Sequence, residues 1–278
     1  MAPMPKQHLP AAQQLADDAL LTRRALEGAG LHPGLGDRAV RAGTAVRLAP
    51  STVLLTASPT DAQLVAAARA HAGDDLVVTG LVACRLLGLV HAPADGAVDV
   101  LVPAGRRRVS TAYVRVHPTV RPPRWWTHAS GVRVADPHRA VVDAARRLTR
   151  LQDVRALVLA ALHQRWCGLD RLRAELEAGP RNGTALCRRA LRDWEAGAWS
   201  APEAEVADVA GADPRLPTPL LNPTLLLGGT VLGQPGGSSA WAWAGRSTAG
   251  SSTPTTTAST RRSRGTTGSA RTACSCCT

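Results

Sequence analysis

The sequence contains no phenylalanine and no isoleucine, a single tyrosine (Tyr113) and a single lysine (Lys6). Valine and leucine occur where isoleucine could stand, and arginine occurs where lysine could stand. This bias is most simply the product of GC-rich codons. Part of the arginine content therefore reflects coding bias rather than selection for an anionic partner.

Long apolar runs are also missing. No stretch of about 18 apolar residues occurs, so no membrane span is expected. The N-terminus lacks the basic-then-apolar pattern of a signal peptide, which indicates a cytoplasmic protein. Neither the eight histidines nor the first three cysteines show the spacing of a metal site, so we expect no metal or other cofactor. These three cysteines are predicted to be lone buried thiols: Cys84, Cys167 and Cys187.

Acidic residues and aliphatic side chains are absent from residues 236–278. Such a segment cannot bury enough apolar surface to offset chain entropy, which predicts a disordered tail. The tail holds five arginines, and without it the net charge falls from +12 to +7. A positive balance of this size is compatible with a polyanion such as nucleic acid. The Cys274–Cys277 segment could form a soft-metal site, but out-of-frame coding explains it better.

Residues 20–57 predict two helices followed by a hairpin. Thr22 is a suitable N-cap for a first helix that ends at Gly30, and His32–Pro33 starts a second helix that runs to Ala42. The segments "AVRLA" and "VLLTA" flank "PST", as in a tight β-hairpin. This order is that of a winged helix-turn-helix, although a different small α+β unit would have the same order.

The middle of the chain alternates between strands and helices. A capping box of Thr60 and Gln63 starts a helix, and Asp136–Pro137 starts another. Thr79 is predicted to cap a helix that follows a short strand. Further strands are predicted at 97–103, 112–118 and 131–135, the first two joined through a turn. Further helices are predicted at 150–163, 168–177, 183–196 and 200–211.

Six segments in this order resemble the AbiEi-like antitoxin proteins of type IV toxin–antitoxin systems, a large actinobacterial family. They are "RAVRAGTAVRLAPSTVLLTA", "VVTGLVACRLLGL", "VDVLVPAGRRR", "VRVHP", "GVRVADPHRAVVDAARRL" and "SAPEAEVADV". The resemblance implies an N-terminal winged helix that binds double-stranded DNA. The operator of a cognate toxin gene is the implied target.

Many members of that family carry a C-terminal domain similar to very-short-patch-repair endonucleases. The resemblance implies a PD-(D/E)XK-type core whose carboxylates hold Mg²⁺. Here "APEAEVADVAG" matches the first helix of that core, with Glu203 and Glu205 as its acids, but the carboxylate-bearing strands are missing. Magnesium is therefore expected only in a form with an intact nuclease domain. The structural alternative is that Glu203 completes a capping box with Ser200 and that Glu205 is a surface residue.

The missing strands can be recovered by a change of reading frame. "GRSTAGSSTP" and "RTACSCCT" can be encoded so that a two-base shift gives "EVDSREFHP" and "DGVLVLH". The segment "TLLLGGTVLGQ" is predicted to be a strand whose partners do not follow. We therefore expect a frameshift near Pro235, the alternative being a natural disordered tail.

Eight arginines are the candidate DNA contacts. We expect the arginines of the predicted second helix and the predicted wing to contact base edges and phosphates. The arginines in the turn after strand 97–103 can bind phosphates, or they can form an ordinary solvated turn. Gly34 and Gly36 weaken the second helix by about 1 kcal/mol each. Trp125 and Trp126 could stack on bases, but covering the edge of a core is the more common role. The arginines are Arg23, Arg24, Arg38, Arg41, Arg47, Arg106, Arg107 and Arg108.

The expected fold class is α+β, with an incomplete restriction-endonuclease-like C-terminal segment. The expected function is that of a DNA-binding, antitoxin-like transcriptional regulator without catalytic activity in this form. The alternatives are an endonuclease-like protein inactivated by the frameshift and a non-functional remnant. The predicted segments are a lead-in (1–14), the winged helix-turn-helix (15–57), a mixed α/β middle domain (58–149), a helical region (150–199), the nuclease remnant (200–235) and the tail (236–278).

Overall fold

The computed structural model describes residues 20–55, 58–106, 108–216, 219, 221–222, 225–227 and 230–233, with backbone alone for the last two ranges. All of them belong to one of the two units into which the chain divides, Met1–Ala244. The predicted lead-in and tail lie outside the described residues. The architecture is α+β, as the sequence predicts. The segment boundaries listed above stay predictions.

The first described elements are two short helices and a three-stranded antiparallel sheet. The sheet has the order β1-β3-β2, so the strand that precedes the helices pairs with the second strand of the hairpin. The predicted helices and hairpin are present, but the second helix begins at Leu35 rather than at His32–Pro33. The elements are β1 (Leu20–Thr22), α1 (Arg23–Gly28), α2 (Leu35–Arg41), β2 (Val46–Ala49) and β3 (Thr52–Leu54).

A five-stranded mixed sheet forms the centre of the molecule. Its order is β6-β5-β4-β8-β7, with β4 parallel to β8 and β5 parallel to β6. The β4–β5 and β7–β8 pairs are antiparallel. The strands are β4 (Val77–Thr79), β5 (Val98–Pro103), β6 (Val114–Thr119), β7 (Trp125–Thr127) and β8 (Arg133–Ala135).

The pairing of β5 with β6 overturns the prediction of a hairpin turn after β5. The two strands are parallel, with Val98 opposite Val114 and Val102 opposite Pro118. Segment 104–113 therefore has to return along the sheet before β6 begins, since parallel strands need a crossover. Short apolar strands carry no local signal that distinguishes the two directions.

The helices that follow β3 and β8 start where their capping residues predict. Helix α3 (Asp61–Ala72) has the full capping box, in which Thr60 Oγ1 accepts from Gln63 N at 3.3 Å and Gln63 Oε1 accepts from Thr60 N at 2.9 Å. Helix α5 (Pro137–Ala145) starts at the predicted proline, and the Asp136 carboxylate accepts from His138 N. Between them lies α4 (Gly80–Leu86), which starts after Thr79 as predicted. The prediction that the Thr79 side chain caps this helix is wrong, because its hydroxyl donates to Asp143 instead.

Four further helices match the predicted ranges to within two residues. They are α6 (Leu151–His163), α7 (Leu169–Ala178), α8 (Ala185–Glu195) and α9 (Ala201–Ala212). One apolar cluster joins the N-terminal sheet, the central sheet and helices α3 to α8. The predicted strand "TLLLGGTVLGQ" is instead two antiparallel strands, β9 (Leu225–Leu227) and β10 (Thr230–Gly233), which pair with each other.

A buried arginine ties three of the last helices together. Arg155 on α6 is 2% exposed, and its Nε donates to Asp193 of α8 at 2.8 Å while its Nη2 donates to Asp208 of α9 at 2.6 Å. Arg189 pairs with the same two carboxylates. A charge this deeply buried is tolerated because it is hydrogen-bonded to opposite charges.

Within the described part of the chain, no helix has the length and apolar content that spanning a bilayer would require.

Candidate nucleic-acid interface

The segment from Thr22 to Leu35 owes its shape to local capping and turn residues. Thr22 Oγ1 accepts from Ala25 N at 3.1 Å and so caps α1. Gly30 adopts φ +68°, a left-handed conformation that favours glycine after a helix. His32 Nδ1 accepts from Gly34 N at 3.0 Å, which holds the Pro33–Gly34 turn and delays the start of α2 until Leu35.

Helix α2 packs closely on the hairpin through a glycine. A Cβ placed on Gly36 would lie 3.1 Å from Val53 Cγ2, so the absence of a side chain lets the helix approach β3. Leu21, Leu26 and Leu35 form a small apolar cluster at this contact. The propensity cost of Gly36 that the sequence predicts is therefore accompanied by a packing advantage.

The outward face of α2 carries charge. Leu35, Gly36 and Ala39 are buried, whereas Asp37 and Arg41 are exposed. Positions four apart share one side of a helix, and Arg38 lies next to them in the same stripe, because it is three residues from Arg41. The described residues offer Arg41 no hydrogen-bond or ion-pair partner. The Nε of Arg38 has only a long contact, 3.5 Å, with the Gly34 carbonyl oxygen.

Arg47, the arginine of the predicted wing, forms contacts within the protein. Arg47 on β2 forms an ion pair with Asp37 of α2, and its Nη1 donates to the Pro50 carbonyl oxygen at 3.0 Å. Its charge is therefore largely neutralised by a neighbour on the same outward surface. The contact also fixes the hairpin against α2.

The two candidate arginines of α1 have different environments. Arg23 forms an exposed pair with Glu27 at 2.7 Å, and this hydrogen bond raises the pKa of Arg23. Arg24 is exposed, and no partner for it exists in the described ranges. Arg24 can therefore bind an anion directly, whereas Arg23 can do so only after its ion pair with Glu27 breaks.

Two of the three candidate arginines after β5 lie within the described residues, and their environments differ. Arg106 caps the end of α3, where its Nη1 donates to the Ala72 carbonyl oxygen at 3.3 Å and its Nη2 lies 2.8 Å from Asp75 Oδ2. Arg107 lies outside the described residues. Arg108 is exposed and has no partner in the described part of the chain. The segment that follows contacts β2, since Thr111 Oγ1 donates to the Leu48 carbonyl oxygen at 2.8 Å.

Of the two glutamates of α9 singled out above, Glu203 makes contacts different from those predicted. Ser200 precedes α9 but its hydroxyl does not cap the helix. Glu203 Oε2 instead accepts from Trp199 N at 2.8 Å and from Asn222 Nδ2 at 2.7 Å, so the predicted capping box is wrong. Glu205 contacts Gln152. Among the residues that the structure covers, no three His, Cys, Asp or Glu side chains converge as a metal site.

The tryptophan pair lies at the edge of the central sheet. Trp125 and Trp126 on β7 are 44% and 50% exposed, so they do not cover a core edge as expected. The Arg133 guanidinium lies 4.7 Å from the centre of the Trp125 ring, a cation–π contact.

The prediction of buried thiols is confirmed for Cys84, Cys167 and Cys187, and burial raises the pKa of all three.

Comparison with known proteins adds little. No protein-family model matches the chain, and no curated protein matches it. Among solved structures, the chain is similar to the crystal structure of the RV2827C protein from Mycobacterium tuberculosis. The identity is 18%, over 68% of this chain and 78% of that one, with a TM-score of 0.41. A likeness at this level identifies neither the family nor the activity.

Proposed function

We propose that residues 20–55 are a winged helix-turn-helix that binds double-stranded DNA. The order of elements supports the proposal, because a strand, two helices and a hairpin form a unit whose sheet has the order β1-β3-β2. In such units the second helix lies in the major groove and the first crosses the backbone. Helix α2 is that second helix here.

The observation that carries the proposal is the charge on this unit. Residues 20–55 contain five arginines and two acids, and both acids already pair with arginines of the same unit. The charge left over is on Arg24, Arg38 and Arg41, none of which has a carboxylate partner among the described residues. Cations without internal partners can neutralise phosphates without first breaking an ion pair.

The role of each arginine follows from its position. Arg38 and Arg41 lie on the outward face of α2 and would contact the groove, where arginine binds guanine edges or flanking phosphates. Arg24 on α1 would contact the backbone. Arg47 supports the wing through Asp37 rather than binding phosphate itself.

The regulator class follows from the resemblance to AbiEi-like antitoxins. On this proposal the chain represses transcription by occupying an operator, and the protein acts without catalysis. A DNase footprint on the region upstream of its own gene tests this part. If the upstream region is protected no more strongly than unrelated DNA, the assignment as an operator-binding regulator is wrong. The protein would then bind DNA without sequence preference.

A salt titration tests DNA binding itself. The full chain is titrated into a fluorescein-labelled 25-base-pair duplex, and Kd is measured by anisotropy between 50 and 200 mM salt. Loss of two phosphate contacts in the Arg38→Ala/Arg41→Ala variant lowers the salt slope by about 1.8 and weakens binding about 60-fold at 0.1 M salt. The matched control is Arg171→Ala/Arg192→Ala, which removes two exposed, unpaired arginines from α7 and α8. Equal losses in both variants, or no binding at 50 mM salt, would refute the proposal.

A further inference from the structure

A cavity of about 380 Å³, with several charged side chains in its lining, lies on one face of the central sheet. The even-numbered valines of β5 and β6, such as Val100 and Val116, belong to the core, so the odd-numbered residues point to the opposite face. The cavity lies on that opposite face. Its polar lining consists of Thr79, Asp99, His117, Thr119, Arg139, Asp143, Arg146 and Arg147.

One carboxylate in this cavity is shared by two arginines. Asp143 on α5 accepts from Arg139 Nε at 2.6 Å, from Arg146 Nη1 at 3.0 Å and from Thr79 Oγ1 at 2.8 Å. Asp143 carries one negative charge, so it balances only one of the two positive charges of Arg139 and Arg146.

Two buried N–H groups of the same arginines are not hydrogen-bonded. The Arg139 side chain is 9% exposed, and its Nη1 has no hydrogen-bond partner. Its Nη1 forms a long ion pair of 3.5 Å with Glu175 Oε1, which Arg121 already binds at 2.6 Å. The Nε of Arg146 is also buried without a hydrogen bond. Buried donors in proteins are almost always paired, so two unpaired donors on residues that line one cavity indicate that a partner is missing there.

Further donors stand at the mouth of the cavity. Arg147 is exposed and forms no ion pair within the described ranges. His117 is half-buried, and its Nε2 lies 2.7 Å from Asp99 Oδ1. Asp99 is in turn contacted by Arg115 at 3.3 Å, a residue outside the cavity lining. Asp99 is therefore balanced. The three lining arginines and Arg121 face two further carboxylates, Asp143 and Glu175, so positive charge remains in excess.

We propose that this cavity binds the phosphate group of a small phosphate monoester. The free positive charge selects an anion, and guanidinium groups match the oxygens of phosphate and carboxylate alike. Phosphate is favoured over carboxylate because it carries up to two negative charges and has three oxygens. At least three donors around the cavity can bind these oxygens. The volume is at the lower end of the range for small-molecule sites, which leaves room for a body of about nucleoside size beside the phosphate.

Isothermal titration of the full chain tests the proposal without DNA present. The probes are inorganic phosphate, adenosine 5′-monophosphate, adenosine, acetate and a 5′-phosphorylated trinucleotide. We expect binding of phosphate and of adenosine 5′-monophosphate, with none of adenosine. Acetate binding as tight as phosphate, equal binding of adenosine, or no binding of any probe would overturn the proposal. Binding of the trinucleotide alone would move the site to nucleic-acid ends and overturn the small-molecule assignment.

Two variants locate the binding. Arg147→Glu reverses an exposed charge at the cavity mouth and is expected to weaken phosphate binding at least about tenfold, as loss of a charge-assisted hydrogen bond does. Arg192→Glu makes the same charge change on α8, outside the cavity lining, and should leave binding unchanged. Arg139→Lys keeps the buried charge but removes the free Nη1 and should also abolish binding. Equal effects of Arg147→Glu and Arg192→Glu would refute the location. None of these residues contributes to the proposed DNA interface, so the two proposals can fail separately.

Discussion

Replacing Asp37 by asparagine is expected to strengthen DNA binding, although the change deletes an ion pair. Asp37 and Arg47 neutralise each other on the outward surface of residues 20–55. Asparagine has nearly the same shape but no charge, so Arg47 becomes available to phosphate. The substitution also removes a negative charge beside Arg38 and Arg41, the two proposed contacts on α2.

The size of the effect follows from the number of new phosphate contacts. One additional contact raises the salt slope by about 0.9, which corresponds to about eightfold tighter binding at 0.1 M salt. The cost in folding stability is small. The side chains of Arg47 and Asp37 are 35% and 59% exposed, and exposed pairs contribute at most about 1 kcal/mol. The fold should therefore survive the change.

The assay is the anisotropy salt titration, with urea unfolding as the check on stability. The matched control is Asp74→Asn, which releases Arg69 from an exposed pair of 2.8 Å outside the proposed interface. Both variants gain one unit of positive charge. If Asp74→Asn tightens binding as much as Asp37→Asn, the gain is a property of net charge and the proposed surface is wrong. A slope for Asp37→Asn equal to that of the unmodified chain would refute the reasoning as well.

Three further outcomes follow from the buried groups. Arg155→Met should lower the free energy of unfolding by about 1.5–3 kcal/mol, because Asp193 and Asp208 lose charge-assisted hydrogen bonds while Arg189 still pairs with both; no measurable loss in urea titration would contradict this. Gly80→Ala should cost about 1–2 kcal/mol, since Gly80 has φ +67° and its Cβ would lie 3.2 Å from the Asp99 carboxylate, whereas Gly105→Ala, with open space around it, should be nearly neutral in the same titration. Burial raises the pKa of Cys187 from 9.0 to about 11, so its thiol stays protonated in the folded state while the unfolded chain ionises. The stability that this thiol contributes is fully present below pH 9 and is lost as pH rises towards 11, by up to about 1.4 kcal/mol per pH unit. Cys187→Ala should show a smaller loss of stability between pH 9 and 10.5; an unchanged loss would refute the assignment.

Helix starts were predictable wherever the capping signal acts within one turn. Thr60 with Gln63 and Asp136 with Pro137 are confirmed, because both partners of each contact lie within three residues. The capping box at Ser200 fails for a long-range reason: Asn222 donates to Glu203 from 19 residues away. The arginines of residues 20–55 were predictable as residues, but the pairing of Arg47 with Asp37 was not.

The cavity on the central sheet was missed although a signal for it exists. Asp99 and His117 interrupt the valines of β5 and β6 at alternate positions, and Arg139 precedes Asp143 by one helical turn. This pattern shows that polar residues share one face of each element. It does not show that the two faces meet, because that requires β5 and β6 to be parallel and α5 to lie beside them.

The sequence by itself determined the α+β class, the positions of most helices and the excess of positive charge, because composition, periodicity and capping act within a few residues. Only the tertiary structure decided which charges are free. Arg47 and Arg106 are bound within the protein, whereas Arg24 and Arg41 have no partner among the described residues. The physical reason is that an ion pair depends on distance in space. Residues far apart in the chain come within 4 Å of each other only after strand direction and helix packing have been set.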